Sequence, residues 1–450
     1  MRLVAVLLFA CALATAAFAA DGAALPDGVD RSDPDFVKAS LVVIGPGDEF
    51  FGCAGHSSLR LECPTFKLDY CFSCESESVR ENPVRFVMGN LKMGLYAIPT
   101  AKFLAYYEKL ERRATQYPLN LPPDVKQRLW KILDDQVGRG TCLHYDYIRF
   151  CCVQTVLTPL LEAIGPQGIT FAPWPEKYRK TRRELLAENL AWCPWTRFAL
   201  HTIAGTAVDE KVSPVKTVIL SPDLLEALRG ARVGGQPVVT GAGEVLLPNQ
   251  RITERGWFTP MVAACLLLAV AIGYWWFPAQ GVAWAFLAFQ SALGLLLTHL
   301  LLVSNLPATS WNWLIVPFNL LPLIFWKWRR RWALAFAGVL LVWVVGMALS
   351  PHQLTDPAYL VIVLAYAVFY AKCWLTGRAS GERDGTDVGR AENGRAAVGR
   401  ADSPSPPPYR ACRGARSAPP TQGAVSRVAG RPPAAVRTAG AVHAADEFSV

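Results

Sequence analysis

From residue 258 the chain is dominated by apolar runs. Five of them, each close to the ~20 residues that cross a bilayer, fall at roughly 258–277, 282–303, 310–326, 332–349 and 357–374. Pro317, Asn319 and Pro322 interrupt the third, the weakest of the five. Between residues 21 and 256 apolar and polar positions instead alternate, or recur at helical spacing, as in a domain with one sizeable core. "SLVVIG" (40–45) reads as a strand ended by a Gly-Pro-Gly turn, "HSSLRLE" as a second and "KLDYCFS" (67–73) as a third. "VRFVMGNLKMGLYAIP" continues the extended character. "PPDVKQRLWKILDDQV" is helical, with Val125, Leu129, Ile132 and Leu133 on one face. "CCVQTVLTPLLEAIG" is a helix closed by Gly165, which Pro159 should bend or shorten. "KTRRELLAENLAW" is another. The class is α+β, followed by an α-helical membrane domain of about five spans.

Residues 1–20 carry an Arg, an apolar run and small residues near Ala17, Ala19 and Ala20, the pattern of a secretory signal peptide. The segment 21–256 is therefore expected outside, the membrane domain over 257–376, and a tail over 377–450 inside. Counting from that start places Lys327, Arg329, Arg330 and Arg331 on the cytoplasmic side, as the positive-inside rule requires. The tail is rich in Arg, Ala, Gly and Pro and has too few apolar residues to repay ordering, so disorder is expected there. The half-apolar composition and 15 Trp suit a membrane protein. The net charge of +9 can lie against anionic lipid heads. No recognition module accompanies that charge, so no nucleic-acid partner is expected.

Eight of the twelve cysteines lie in the exported part: Cys53, Cys63, Cys71, Cys74, Cys142, Cys151, Cys152 and Cys193. Disulfides are the default in an oxidising compartment, and Cys71 and Cys74 can pair with each other or with Cys53 and Cys63. A zinc site lacks a second close-spaced pair, and a thioredoxin-like role lacks the βαβ context; no metal and no cofactor is expected. Cys152 differs because it starts a helix, where unpaired N–H groups and the dipole favour thiolate. With an imidazole nearby it suits covalent catalysis, and His56, at the start of a strand, is a candidate among His56, His144 and His201. A buried thiol or half-cystine at 152, and a merely satisfied His56, stay open on the residues alone.

"LVVIGPGDEFFGCAGHSSLRLE" followed by "HYDYIRFCCVQT" resembles the periplasmic domain of the Lnb-type lipoprotein N-acyltransferase family. The first motif is Gly55, His56, Ser57, Ser58, Leu59, Arg60. The second is Tyr145, Asp146, Tyr147, Ile148, then Cys151 where the family has Asn, and Cys152 at the family's nucleophile. Similar segments continue through "RFVMGNLKMGLYAIP", "CPWTRFALHTIAGTAVDEKVSP", "ILSPDLLEAL" and "SWNWLIVPFNLLPLI", so the likeness runs over roughly 40–375.

The resemblance implies an α+β permuted papain-like (NlpC/P60-type) exported domain, and a bacterial inner-membrane, multi-pass protein with a periplasmic N-terminal domain. It implies Cys152 as nucleophile and His56 as base. The acyl chain would pass from a phospholipid donor, through a Cys152 thioester, to the N-terminal amine of a lipoprotein. Arg60 either is structural or holds a lipid phosphate, and Asp69 or Tyr70 would orient the ring. Tyr145, Asp146 and Cys151 would support the nucleophile, with Cys151 either weakening an oxyanion hole or bridged to Cys142. His299, Trp311 and Asn312 would face lipid near the outer surface, beside Trp313 and Asn319. Two rivals are a papain-like cysteine amidase or peptidase of the cell envelope, and a non-enzymatic membrane assembly protein.

Overall fold

The computed structural model describes residues 30–395 apart from 49–51, 80, 141, 145, 147–150, 166–167, 174–179, 214–217, 253–255, 326–328 and 350–355, with 142–144, 329–331 and 377–395 described as backbone. The expected signal peptide, Tyr145 and the tail after residue 395 lie outside the described residues. The chain divides into two units, Met1–Arg378 and Ala379–Val450.

In chain order the strands are β1 (Lys38–Ile44), β2 (His56–Cys63), β3 (Leu68–Ser76), β4 (Lys92–Pro99), β5 (Ala114–Pro118), β6 (Cys142–His144), β7 (Ile169–Phe171), β8 (Ala231–Val233), β9 (Gln236–Pro237) and β10 (Glu244–Leu247). One antiparallel sheet has the order β10-β5-β1-β2-β3-β4-β6; β7, β8 and β9 form a smaller one. The helices of this part are α1 (Pro83–Val87), α2 (Thr100–Lys109), α3 (Pro123–Gly138), α4 (Cys152–Ile164), α5 (Arg182–Asn189), α6 (Pro194–Ile203) and α7 (Ser221–Arg229). The expected strands at 40–45, 56–62 and 67–73 and the three expected helices are all present. The stretch from Val84 is not extended throughout, because Pro83 at a first helical position starts the short α1 before β4.

Successive side chains on a strand point to opposite faces, so the large sheet is packed on both sides. Ala39, Leu41, Leu59, Leu61 and Phe72 join the core built with α3, α4 and α7. Val42, Ile44 and Cys71 face Phe103 and Tyr107 of α2. Pro159 does not end α4, and the helix runs its full 13 residues. Val153, Val156, Leu157 and Leu160 are each at most 2 % exposed. Their burial supplies about 6–12 kcal/mol in gross terms, against a cost of about 3 kcal/mol for an interior proline. Burial wins.

The membrane part contains α8 (Pro260–Gly273), α9 (Gln280–Leu302), α10 (Leu321–Ile324), α11 (Arg329–Leu349) and α12 (Ala358–Arg395). Three stretches are long and apolar enough to cross a bilayer: Gln280–Leu302, Trp332–Leu349 and Ala358–Thr376. The first expected span is shorter than predicted, since α8 has 14 residues and so a length of about 21 Å. The third expected span is no continuous helix. It breaks into a 3-10 turn at Trp313–Ile315 and the four-residue α10. Asn319 causes part of this break, donating from Nδ2 to Val316 O (2.7 Å) and accepting Leu321 N–H at Oδ1 (3.0 Å). Local bonds of that kind compete with the helix ladder, and Pro317 and Pro322 remove donors from it. By contrast α12 continues to Arg395, past 377 where disorder was expected; a helix already nucleated adds each further residue at low cost.

Within the first unit the α+β part sits on the membrane part through α6. Arg197 pairs with Asp356 (2.9 Å), which is 3 % exposed. Thr202 Oγ1 bonds Tyr359 OH at 2.5 Å, and Phe198 stacks on the Tyr359 ring at 4.7 Å. Trp195 donates to Phe258 O (2.8 Å). Just after α6, Gly205 N–H donates to Ala308 O (2.7 Å), and a Cβ at Gly205 would lie 1.8 Å from Ser310 O. The contact is backbone on backbone, so no side chain can give way. Gly205→Ala is therefore expected to lower the melting temperature of the detergent-solubilised chain by several degrees, the scale of an overpacking cost of about 1–3 kcal/mol; thermal unfolding checks it.

Candidate active site

The turn Gly52–Ala54 leads through Gly55, whose φ of +83° few other residues adopt, into His56 at the head of β2. The His56 ring lies on the α2 face. Its Nε2 is 2.8 Å from Ser73 Oγ on β3, and Ser73 Oγ in turn donates to Glu75 Oε1 (2.7 Å). Because the hydroxyl proton is spent on Glu75, Ser73 accepts from His56 Nε2–H. That leaves Nδ1 as the basic nitrogen. The ring stacks on Tyr107 of α2 at 6.1 Å, and the Arg112 guanidinium lies over that Tyr107 ring at 5.0 Å. Burial, reinforced by the Arg112 charge, lowers the His56 pKa to about 3, so the imidazole is neutral at physiological pH.

Cys152 occupies the first position of α4, with Cys151 as N-cap. α4 packs on the other face of β2, where its sulfur meets Ser57, the residue after His56. Burial raises the Cys152 pKa; the Ser57 N–H and hydroxyl and the Val153 N–H oppose that rise, and the Glu75 charge adds to it. The sequence led us to expect a helix terminus that lowers this pKa, but desolvation outweighs it. The thiol–hydroxyl contact is a loose one, since Ser57 Oγ is buried with no partner in hydrogen-bonding geometry.

The structure thus brings Cys152 and His56 to the same end of β2, with adjacent residues Ser57 and His56 as their points of attachment. No hydrogen bond joins the sulfur and the ring, and strand alternation sends Ser57 and His56 to opposite faces. Glu75 and Tyr107 neighbour both groups: Glu75 Oε1 is 4.0 Å from His56 Nε2, and the Cys152 charge acts on Tyr107.

The other candidates fall elsewhere. Asp69 and Tyr70 pair with Glu62 and Leu61, about six residues along β2 from His56 and hence about 20 Å away. Asp69 instead holds Arg60 by two bonds (2.9 and 2.8 Å) and accepts from Thr100 Oγ1 (2.6 Å). Arg60 also donates to Gln116 (2.7 Å) and Glu62 (2.9 Å), so its guanidinium is occupied within the sheet. Asp146 is buried, and Cys151 carries a free buried thiol whose pKa burial pushes up to about 12. The side chain of Cys142 lies outside those described. Cys71 and Cys74 cannot pair with each other: three residues apart on a strand, they point to opposite faces. Cys71 contacts Thr100 at 3.5 Å on the α2 side, whereas Cys74 lies on the α4 side with Thr155.

Of the lipid-facing candidates, Trp311 is 73 % exposed. Asn312 is buried, donating to Thr202 O (2.7 Å) and capping Leu314 N–H (2.9 Å), and so joins the two parts of the unit. His299 lies in the last turn of α9 with Nε2 buried and unbonded. Sequence reasoning missed Ser57, Ser73, Glu75, Tyr107 and Arg112. Alternation along "FSCES" could have placed Ser73 and Glu75 on one face with His56; nothing local marks Tyr107 or Arg112.

Residues 29–185, from before β1 into α5, match the family model of the Lnb N-terminal periplasmic domain. No curated protein and no solved structure matches the chain.

Two expectations follow from the electrostatics. The folded His56 pKa of about 3 lies below its ordinary 6.5, so on acidification the unfolded chain takes up a proton that the folded chain refuses. His56 then contributes stability fully above pH 6.5 and loses that contribution as pH falls towards 3. Melting temperatures measured from pH 7 to pH 4 should fall less steeply in His56→Gln than in the parent. Cys152, with its raised pKa, should show an iodoacetamide alkylation rate that keeps rising above pH 9, followed by peptide mass spectrometry; a plateau near neutrality would contradict the burial argument.

Proposed function

Because residues 29–185 belong to the Lnb N-terminal periplasmic domain family, we propose that this chain is a membrane-bound thiol acyltransferase. It moves a fatty acyl chain from a phospholipid to the N-terminal amine of a lipoprotein. The observation that carries the reading is the seat of Cys152: first residue of a buried helix, against the strand residue next to a histidine whose Nε2 is already held.

Thiol and imidazole both rest neutral, so the thiolate is made on demand. His56 Nδ1 takes the Cys152 proton as the sulfur attacks the ester carbonyl, a contact that apo structures often leave long and substrate draws in. The ester C–O bond breaks, the lysophospholipid oxygen receives the proton from His56, and the acyl group remains on sulfur as a thioester. The amine then attacks, the C–S bond breaks, and the amine's proton returns through His56 to the thiol. Ser73 and Glu75 keep the ring in the tautomer this shuttle needs. The N–H groups of Ser57 and Val153, aimed at the sulfur's surroundings, suit the developing oxyanion. A permuted papain-like arrangement of the domain accords with a helix-borne thiol set against a strand-borne imidazole.

The membrane part fits a lipid donor. The connections at Phe258, Asn305 and Asp356 all touch the α+β part, which supports placing them on its side of the bilayer. That sidedness requires five crossings, the third by the broken segment after Trp313. Non-helical backbone at that depth is tolerated when protein covers it, and Leu314 and Phe318 are fully buried. Trp257, Phe277 and Trp311, each at least 73 % exposed, serve as interfacial anchors.

The test is the mass of the N-terminal peptide of a reporter lipoprotein made with and without this chain. Cys152→Ser and His56→Ala should each cut N-acylation by at least ~100-fold, with the protein still in the membrane, and Ser73→Ala by roughly ten-fold through the ring's orientation. An N-terminal peptide unchanged by Cys152→Ser would overturn the reading.

A further inference from the structure

The candidate site lies at the end of the large sheet from which the chain enters the membrane part. His56, at the head of β2, pairs with Ile44, the last residue of β1, and Ile44 pairs with Ala114, the first of β5. Leu247, the last residue of β10, also pairs with Ala114. β10 therefore leaves the sheet at this end, and Gln250 is still bonded to Pro46 O (2.6 Å) before α8 starts at Pro260. β3 and β4 form a hairpin whose connection falls at the same end, since Leu59 pairs with Phe72 and Ser76 with Met93. That connection carries α1.

This connection touches the end of a helix long and apolar enough to cross a bilayer. Just after α9 ends at Leu302, Asn305 donates its N–H to Met88 O (3.1 Å) and its Nδ2 to Asn90 Oδ1 (2.9 Å). A Cβ at Gly89 would lie 2.7 Å from Leu306 N, so the two backbones are in contact. Around this junction four apolar side chains are exposed: Val84 and Val87 on α1, and Leu302 and Val303 at the end of α9, with Val84 and Leu302 each at 74 %. Apolar side chains exposed singly are ordinary on a surface. Four of them within four residues of one backbone contact form a patch. Arg85 on α1 and Lys92 at the start of β4 are exposed beside it.

We propose that α1 is an interfacial anchor that seats Val84 and Val87 in the leaflet on the α+β side, continuing the membrane surface that begins at Leu302. The occupant of this apolar face is phospholipid. At the end of a bilayer-crossing helix the surrounding medium is lipid, so no further protein chain is needed to cover the patch. The acyl boundary takes the two valines, and the headgroup phosphates meet Arg85 and Lys92. Arg85 is paired with Glu77 (2.6 Å), which fixes its place as it meets the headgroups. The consequence reaches the site. Ser73, whose hydroxyl holds the His56 ring, is three residues from the end of β3 at Ser76, about 10 Å. Seating α1 in the interface therefore keeps the His56 end of the sheet beside the lipid surface rather than in bulk water. The inference rests on the membrane placement in the proposed function and is independent of the reaction that Cys152 performs.

The full chain is made with p-benzoylphenylalanine in place of Val84, Val87 or Thr65 and reconstituted in vesicles of phosphatidylethanolamine and phosphatidylglycerol. All three positions are exposed, so the substitution displaces no packed side chain. Thr65 is the reference: it lies in the β2–β3 turn, at the other end of the nine-residue β3 and so about 27 Å or more from α1. After irradiation and trypsin digestion, the peptides Glu81–Arg85, Phe86–Lys92 and Leu61–Lys67 are weighed for the added mass of a phospholipid. Adducts should be at least ~10-fold more abundant at positions 84 and 87 than at 65, as burial in the headgroup and acyl boundary requires. Absence of adducts at both 84 and 87, or equal yields at all three positions, overturns the inference. Adducts at 84 and 87 in a chain that leaves a reporter lipoprotein unmodified would sink only the acyltransferase reading. N-acylation by the parent chain without adducts in the variants would sink only the anchor.

Discussion

The Arg112 guanidinium holds the entry to β2 from the buried side. It is 3 % exposed, gives two bonds to Gly45 O (3.0 and 2.8 Å) and one to Gly52 O (3.3 Å), and covers the Tyr107 ring. A buried charge is tolerated only when its hydrogen-bonding sites are filled. Here backbone carbonyls on both sides of the β1–β2 connection take its Nε and Nη2 donors. The same cation disfavours a second positive charge on His56. One group therefore closes the loop, lies over the Tyr107 ring on which His56 stacks, and adds to burial in keeping His56 neutral. Fold and candidate site share one buried cation at this point.

A second constraint couples the α+β part to the membrane part. The contacts at α6 mix an ion pair with a buried carboxylate, a hydroxyl pair, a stacked ring and a backbone approach that only glycine permits. Such mixed contacts define orientation more than they supply affinity, because each polar group needs its own partner at a fixed place. Asn312 belongs to this set. A sequence reading that places it among lipids is defeated by one backbone carbonyl, Thr202 O, which no local pattern can reveal.

Strands, helices and the order of an α+β part before an apolar helical part were legible because their signals are local. Alternation in "HSSLRLE", a helical stripe in "PPDVKQRLWKILDDQV" and apolar length after 258 all act over a few turns or pairs. What failed was of two kinds. Apolar length alone overestimated the third span, where Asn319 caps its own neighbours. Sequence proximity suggested Asp69 or Tyr70 as the ring's support, whereas register gives that place to Ser73 and Glu75. A one-residue difference in position on a strand changes the face, and the same arithmetic separates Cys71 from Cys74. Pairing register is a long-range property, so the support of a site is harder to read than its principal residues.

The balance of terms at Cys152 bears on how such a site can work. A helix N-terminus favours thiolate by an amount set by exposed geometry, typically under about 1 kcal/mol. Removing the sulfur from water opposes it, and the Glu75 charge opposes it further. A site built for a standing thiolate–imidazolium pair would place a cation or a free helix end at the sulfur and a carboxylate at the ring. This one has the carboxylate relayed through Ser73 and a guanidinium near the ring, both of which suit a neutral imidazole that accepts a proton only when one is offered. A thiol kept protonated in a part-buried seat is also a poorer target for oxidants, since thiolate character governs that reactivity. In a compartment that oxidises exposed thiols, holding Cys152 protonated is one answer to that chemical pressure.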